Sequence, residues 1–450
     1  MQILRTRKLS EGGEGVARYL AMATTFAVTA GVFALPQRAE ANGRYPEATQ
    51  LVVGPSNPDR ILVRVTFGML VSQNGGADWR WVCEQSIGFQ DVFDPPVALL
   101  QGEVILAGLQ VQLSQSTDFG CGFSPAQPDL LSNRYVLDVT AERAAPQNGW
   151  AVTTDGPDNA HDTQVFFTTN AGASWASAGP PLDVSFRSIT IDVAPSNPNR
   201  VYVSGLMGDF YEPVIAVSDD AGQTWSYRQD LGVEGAPYIG AIDPNDEDRL
   251  YVRAPGNDID TLYVSTNAAM SFEPVAERPG RMLGLALSED GSRIAIGGPS
   301  FGIETADAFD LQFTKKSSAG ARCLTFHGAG LFVCGDEVLD GYTVGSSTDE
   351  GATITPIFNV AELLPLECEP TKSICDDYWP STQSLLGLDP ATGSGVTTTT
   401  SSGGGGDETD DGCGCETGGP RTRTPWLYVM AALLGARLIN RGRSGRPSSA

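Results

Sequence analysis

The sequence predicts an all-β fold: a seven-bladed β-propeller of four-stranded antiparallel blades. An N-terminal signal helix precedes it, and a disordered spacer plus a short apolar helix follow. Three observations predict the propeller. One turn phrase recurs six times along the chain. A second, strand-turn-strand phrase recurs upstream of several copies. The copies stand roughly 40–50 residues apart, the length that four short strands and their turns occupy.

The turn phrase reads Ser218-x-Asp220-x-Gly222-x-Thr224-Trp225. It recurs as Ser72-x-Asn74-x-Gly76-x-Asp78-Trp79, Ser116-x-Asp118-x-Gly120-x-Gly122-Phe123 and Thr168-x-Asn170-x-Gly172-x-Ser174-Trp175. Two further copies are Ser265-x-Asn267-x-Ala269-x-Ser271-Phe272 and Ser347-x-Asp349-x-Gly351-x-Thr353-Ile354. The last interval is nearly double the others, and "GIETADAFDLQF" (302–313) sits inside it as a worn copy, making seven. Asp or Asn can bond its own backbone a residue or two on. Gly takes positive φ without steric cost. The hydroxyl ties the far side of the turn, and the aromatic anchors the next strand. These residues are therefore expected to be structural corners between strands. Upstream runs such as "LYVS", "VIAVS" and "VFFTT" are short, β-branched or aromatic, as strands require.

The second phrase is "VVGPSNPDRILVRV" (52–65), "DVAPSNPNRVYVSG" (192–205) and "AIDPNDEDRLYVRA" (241–254), with a looser "LALSEDGSRIAIGG" (285–298). Its arginines Arg60, Arg200 and Arg249 repeat with the turn, which predicts turn caps. The boxes resemble the Asp-box, or bacterial neuraminidase, repeat. The P-S-N-P-N-R-V-Y-V phrase is similar to the sortilin- and xyloglucanase-type propellers that carry that repeat. The resemblance covers roughly residues 45–385 and implies fold far more than activity, since functions are grafted onto folds. It implies that the boxes sit on the outer rim, away from the central site.

Composition narrows the partners. There are 29 Lys+Arg against 54 Asp+Glu, a net charge of −25. This argues against nucleic acid, and against an anionic membrane surface bound through the body of the protein. Cations or basic partners suit it better. Residues 1–41 read as a signal peptide: Arg5, Arg7 and Lys8, an apolar stretch at 19–35, then Ala39-Glu40-Ala41 as an A-x-A cleavage site. The competing reading of that segment is an N-terminal membrane anchor. Residues 42–385 form the propeller, 386–412 a Thr/Ser/Gly/Asp-rich linker, and 413–450 the tail.

Export makes the eight cysteines disulfide candidates. A hairpin turning at Gly328-Ala329 sets Phe326 opposite Leu331, and so Cys323 opposite Cys334. Cys368 and Cys375 are spaced to close a small loop. Cys83 and Cys121, at comparable places in the first two blades, are then left to pair with each other. Zinc is the alternative, but no C-x-x-C pair occurs and only His161 and His327 are available. In the tail, "CGCETGGPRTRTPWLYVMAALLGARLINRGRSGR" resembles the MYXO-CTERM sorting tail of myxobacterial surface proteins. That resemblance implies Cys413 or Cys415 as the processing and anchoring cysteine. It also implies a sorting protease that removes the apolar stretch and leaves the protein on the cell surface, so that membrane contact is through the tail alone. The apolar run 427–436 is shorter than the roughly 20 residues of a spanning helix, which suits a transient sorting segment.

No catalytic residue is assigned. "FRSI" (186–189) lacks the proline of a sialidase phrase and falls in a middle blade. A glucanase-type hydrolase needs two carboxylates facing across a cleft, and no pair stands out. His327 falls at a hairpin tip. The loops joining second and third strands carry most of the polar residues. They supply Asp155, Asp158, His161 and Asp162, then Asp209 and Tyr211, Asp258 and Asp260, and Asp336 and Asp340. These predict an acidic, partly aromatic mouth for a divalent cation such as Ca²⁺, a basic peptide or a polysaccharide. No other cofactor or metal is expected. The expected role is a non-catalytic binding or scaffold module for extracellular glycan or protein, with a glycoside hydrolase of the same fold as the alternative.

Overall fold

A computed structural model describes residues 45–89, 93–155 and 162–388. The signal segment, Asp158, His161, Cys413, Cys415 and the tail lie outside the described residues. Seven antiparallel sheets occupy residues 48–82, 97–125, 135–177, 186–228, 238–279, 284–317 and 323–358. Each is a blade made of four consecutive strands. The first strands of neighbouring blades pack side by side around the hub, and the seventh blade's first strand (Cys323–His327) returns to that of the first (Ala48–Val53). The worn copy does belong to a blade: Gly302–Asp307 is the third strand of blade six.

Strands buried on both faces read as continuous apolar runs rather than alternating ones. Blade one shows this: Ile61–Val65 and Gly68–Ser72 are almost wholly buried. Each blade face is covered by its neighbour. Tyr202, Ile215 and Val217 of blade four pack with Leu250, Val252 and Tyr263 of blade five.

The repeated turn is a closed hydrogen-bond unit. The Ser218 hydroxyl donates to Asp220 Oδ1 at 2.8 Å and accepts the Gly222 N–H at 2.8 Å. Asp220 Oδ1 also accepts the Thr224 N–H at 2.8 Å. Ala221 and Gly222 take φ of 54° and 83°, which explains the glycine. The same bonds recur on Asn74, Asp118, Asn170, Asn267 and Asp349. In blade six Ala306 stands where the serine would, so that hydroxyl is missing, while the hydroxyl of the preceding Thr305 donates to Glu350 of blade seven at 3.0 Å. Asp307 there still accepts the Phe309 N–H at 2.9 Å.

The repeated arginines do more than cap their own turns. Arg60 donates to Glu103 of blade two at 2.7 Å as well as to Gln73 O at 2.6 Å. Arg200 pairs with Asp219 of its own blade at 2.5 Å and Asp248 of the next at 2.6 Å. Arg249 reaches Ala308 O of blade six. Arg293, at the matching place in the looser phrase, meets Glu350 of blade seven at 2.6 Å. Hydrogen bonding from Arg293 helps hold the Glu350 carboxyl down to about 2. The phrase is thus an inter-blade staple.

The register places Cys323 opposite Cys334, and they form a disulfide, as the hairpin reading expects. The other two pairings differ from expectation. Cys83 joins Cys375 and Cys121 joins Cys368, with Cα–Cα distances of 5.5 and 5.2 Å. The reason is the course of the chain after blade seven. Residues 359–388 run back as a strap over blades one and two. Leu364–Pro365 adds a parallel strand beside Arg80–Trp81. The helix Thr371–Cys375 then carries Cys375 away from Cys368. Thr371 sits between the blades: its hydroxyl donates to Gly120 O at 2.8 Å and its N–H to Cys121 O at 2.9 Å.

Two predictions follow from this geometry. Removing one strap disulfide, as Cys83→Ser with Cys375→Ser, should cost about 4 kcal/mol, because the other still closes the ring. Removing both should cost more than twice that, since the whole chain between them is then released. Urea unfolding midpoints of the three variants test this. Ser218→Ala should cost about 1–3 kcal/mol by orphaning the buried Gly222 N–H, read from the same curves.

Candidate binding face

Loops between second and third strands, and connections between blades, emerge at the end of the blades opposite the boxes. Antiparallel order requires this, because the boxes join third to fourth strands. Of the large apolar side chains exposed among the described residues, most lie on this loop face. Phe210 is 87 % exposed and Leu339 83 %, with Val338, Val184, Val111, Ile259 and Leu283 also open. Phe210 and Val184 share a corner, because Gly208 N–H donates to Ser185 O at 3.2 Å.

The sequence-selected acids meet different fates there. Asp155, Asp209 and Asp258 are exposed. Asp162 is held by Arg134 at 2.8 Å. Tyr211 lies under the Arg187 guanidinium, 4.6 Å from its ring centre. Asp260 is fully buried, accepts the Met282 N–H at 2.9 Å and stands 3.5 Å from Arg281. Asp336 caps the short helix Glu337–Asp340 through the Val338 and Leu339 N–H groups and pairs with Arg322 at 3.0 Å. Asp340 accepts the Gly320 N–H at 3.0 Å. The mouth is therefore mixed in charge, with Arg134, Arg187, Arg253, Arg281 and Arg322 standing among the acids. A capping signal, an aspartate opening a short run that ends at Gly341, was present in the sequence for Asp336.

A cleft of about 520 Å³ opens beside blade five. Its lining includes Glu234, Asp258, Ile259, Tyr263 and Glu277. The Tyr263 hydroxyl accepts the Glu234 N–H at 3.3 Å. Sequence reasoning found Asp258 and missed Glu234 and Glu277. One lies in a blade connection and the other on an outer strand, and no spacing links them. Among the described residues no three acidic, histidine or cysteine side chains come close enough to share a metal ion.

At the hub, side chains of first strands satisfy the backbone of the next blade. Gln50 Nε2 donates to Val97 O at 2.9 Å, and Ile239 N–H donates to Thr190 Oγ1 at 3.1 Å. Asp138 accepts the Ile191 N–H at 2.9 Å. Protein surrounds Asp138 closely, and this desolvation pushes its carboxyl up to about 7 despite the backbone bonds.

No protein-family model matches this chain, and no curated protein matches it. Similar solved structures are propellers. The chain is 12 % identical to the GH74 enzyme of Niastella koreensis, over 68 % of this chain and 65 % of that one, with a TM-score of 0.40. It is 17 % identical to an ancestral GH74 enzyme, over 70 % and 45 %, with a TM-score of 0.48. For the WD40 repeats of RRP9 the identity is 13 %, the coverage 66 % and 89 %, and the TM-score 0.47. The chain thus spans less than two thirds of the length of either GH74 enzyme. At these scores the fold rests on the strand topology itself.

The raised Asp138 carboxyl fixes the sign of one pH effect. The folded protein holds this proton more tightly than the unfolded chain, so stability falls as pH rises from about 4 through about 7. Asp138→Asn should flatten that part of the urea-midpoint profile, and NMR titration of the Asp138 carboxyl should centre near 7.

Proposed function

We propose that the protein is an exported, non-catalytic binding module that presents the loop face to an extracellular glycan or protein. The observation that carries this reading is the gathering of exposed apolar side chains on one face. Phe210, Tyr211 and Val184 cluster there beside Arg187. Contiguous exposed apolar groups rimmed by polar ones mark interaction sites. The box face, by contrast, is occupied by turns and staples that hold the ring.

Three disulfides suit an oxidising compartment. They support export, as do the signal-like start and the sorting-like tail. In this reading Cys413 or Cys415 anchors the processed chain at the cell surface. The catalytic alternative is favoured by one observation, the carboxylates converging on the blade-five cleft. A glycoside hydrolase needs two such groups across a bond.

A glycan-array screen with the purified full chain, run beside reducing-end release on the same polysaccharides, separates the readings. Binding without release is expected. It should weaken about tenfold in a Phe210→Ser, Tyr211→Ser variant, the loss of about 1.4 kcal/mol of contact. Release that disappears in Glu234→Gln or Glu277→Gln would establish the hydrolase instead.

A further inference from the structure

Blade seven is the end of the ring from which the chain leaves. Units that contact only their neighbours fray first at the end of the series. Among the described residues no strand of another blade joins the blade-seven sheet. Tension on the chain beyond Leu388 would therefore strip the strap, then Thr355–Phe358, then the rest of blade seven, and so back around the ring. The strap's strand pairing with blade one is slight. Leu364 N–H donates to Trp79 O at 3.4 Å and Leu366 N–H to Trp81 O at 3.2 Å, both at the long end of the range.

The two strap disulfides change the route that tension takes. Cys121–Cys368 closes residues 121–368 into one covalent circle that contains blades three to seven. Cys83–Cys375 closes a larger circle around it. Tension that reaches residue 368 enters the inner circle at one point and divides between two arms. One arm runs forward from Cys121 into blade three, and the other runs back from Cys368 into blade seven. Unfolding blade seven lengthens only the second arm. The loaded ends do not separate until the first arm lengthens as well. Forced unfolding is governed by the unfolding rate, and force raises that rate only through the distance gained.

The two links differ in access. Cys83 and Cys375 are 0 % and 2 % exposed, and the Cys83 N–H donates to Cys375 Sγ at 3.1 Å. Cys121 and Cys368 are half-buried. Thiol–disulfide exchange needs access to the sulfur, so the link nearer the exit is the one shielded from reductant.

We infer that the strap is a tension clasp: pull on the chain beyond Leu388 is delivered to a covalently closed circle of blades, and the ring is not unwound from blade seven. A surface-held module whose ligand engages the loop face is pulled in this way, so the use of the clasp rests on the binding and anchoring reading above.

The test stretches single full chains with optical tweezers. One handle is a biotin-acceptor tag inserted after Phe210, an 87 % exposed turn position. The other is at the C-terminus. With both links intact the shortest covalent route runs from 210 to 121, across to 368 and on to 388. The length gained from residues up to 388 should then stop at about 39 nm. Cys121→Ser with Cys368→Ser leaves the shielded link, sends the route through Cys83 and should raise the limit to about 50 nm. Cys83→Ser with Cys375→Ser should leave it at about 39 nm. Each of these variants keeps one link across the ring. A phosphine that opens every disulfide should raise the limit to about 64 nm. Blade seven should then give way first, at about half the force, because one arm carries the whole load. Blade seven giving way first in the untreated chain, at the force seen after reduction, overturns the inference. So does a limit near 64 nm in the untreated chain. Surface labelling of cells carrying Cys413→Ser with Cys415→Ser reads the anchor separately. Surface protein that persists there removes the anchoring reading, and the force trace still decides the clasp.

Discussion

Closing the ring is the constraint on which the rest of this molecule depends. The first four strands of every blade are consecutive in the chain, and among the described residues no strand is exchanged between the first and last blades, although Leu364–Pro365 adds a fifth strand to blade one. The joint between them must come from side chains and from the chain beyond blade seven. Thr325 Oγ1 donates to Leu51 O at 2.8 Å, and Arg322 meets Glu47 at 2.9 Å. Trp79 and Phe358 pack with their rings tilted and centroids 5.3 Å apart. The strap then crosses the joint, with Trp379 against Trp81 and two disulfides at sequence separations of 292 and 247 residues. Links across such intervals restrict the unfolded chain far more than the short Cys323–Cys334 link does.

The other joints solve the same problem by repetition. Arg60, Arg200, Arg249 and Arg293 each reach from one blade to the next. The guanidinium suits this, because its fixed fork of donors can serve two blades at once. Blade six shows what happens when a box erodes. Ala306 has no hydroxyl with which to close the turn, and the preceding Thr305 joins the Arg293 and Lys316 network on Glu350. Where the local bond is lost, a neighbouring side chain bonds across the joint.

How much of this was legible in the sequence follows from how local each interaction is. The boxes and the Cys323–Cys334 register could be read because every partner lies within a dozen residues. The staples were half legible: the repetition of Arg60, Arg200 and Arg249 showed that they were structural, but not that they bridge blades. The strap pairings were not legible. Cys368 and Cys375 look like a small loop until the helix between them is known to turn them apart. The candidate site suffered most. Asp336 and Asp340 look like free acids in a list of loop residues, yet one caps a helix and the other holds Gly320. Their partners come from elsewhere in the fold, so the count of acids said little about which remain free.

That distinction also decides what the loop face can recognise. A face whose acids were all exposed would attract any cation without preference. Here Arg134 and Arg322 neutralise Asp162 and Asp336, and burial withdraws Asp260. Glu234, Asp258 and Glu277 stay open on one cleft, and Asp155 and Asp209 elsewhere on the face. Long-range charge sets encounter rates, whereas short-range placement sets which partner stays. The net charge of −25 supplies the first. The second is set by which acids the fold pairs or buries and which it leaves open, a choice made on the loop face without altering the boxes, staples and strap that keep the ring closed.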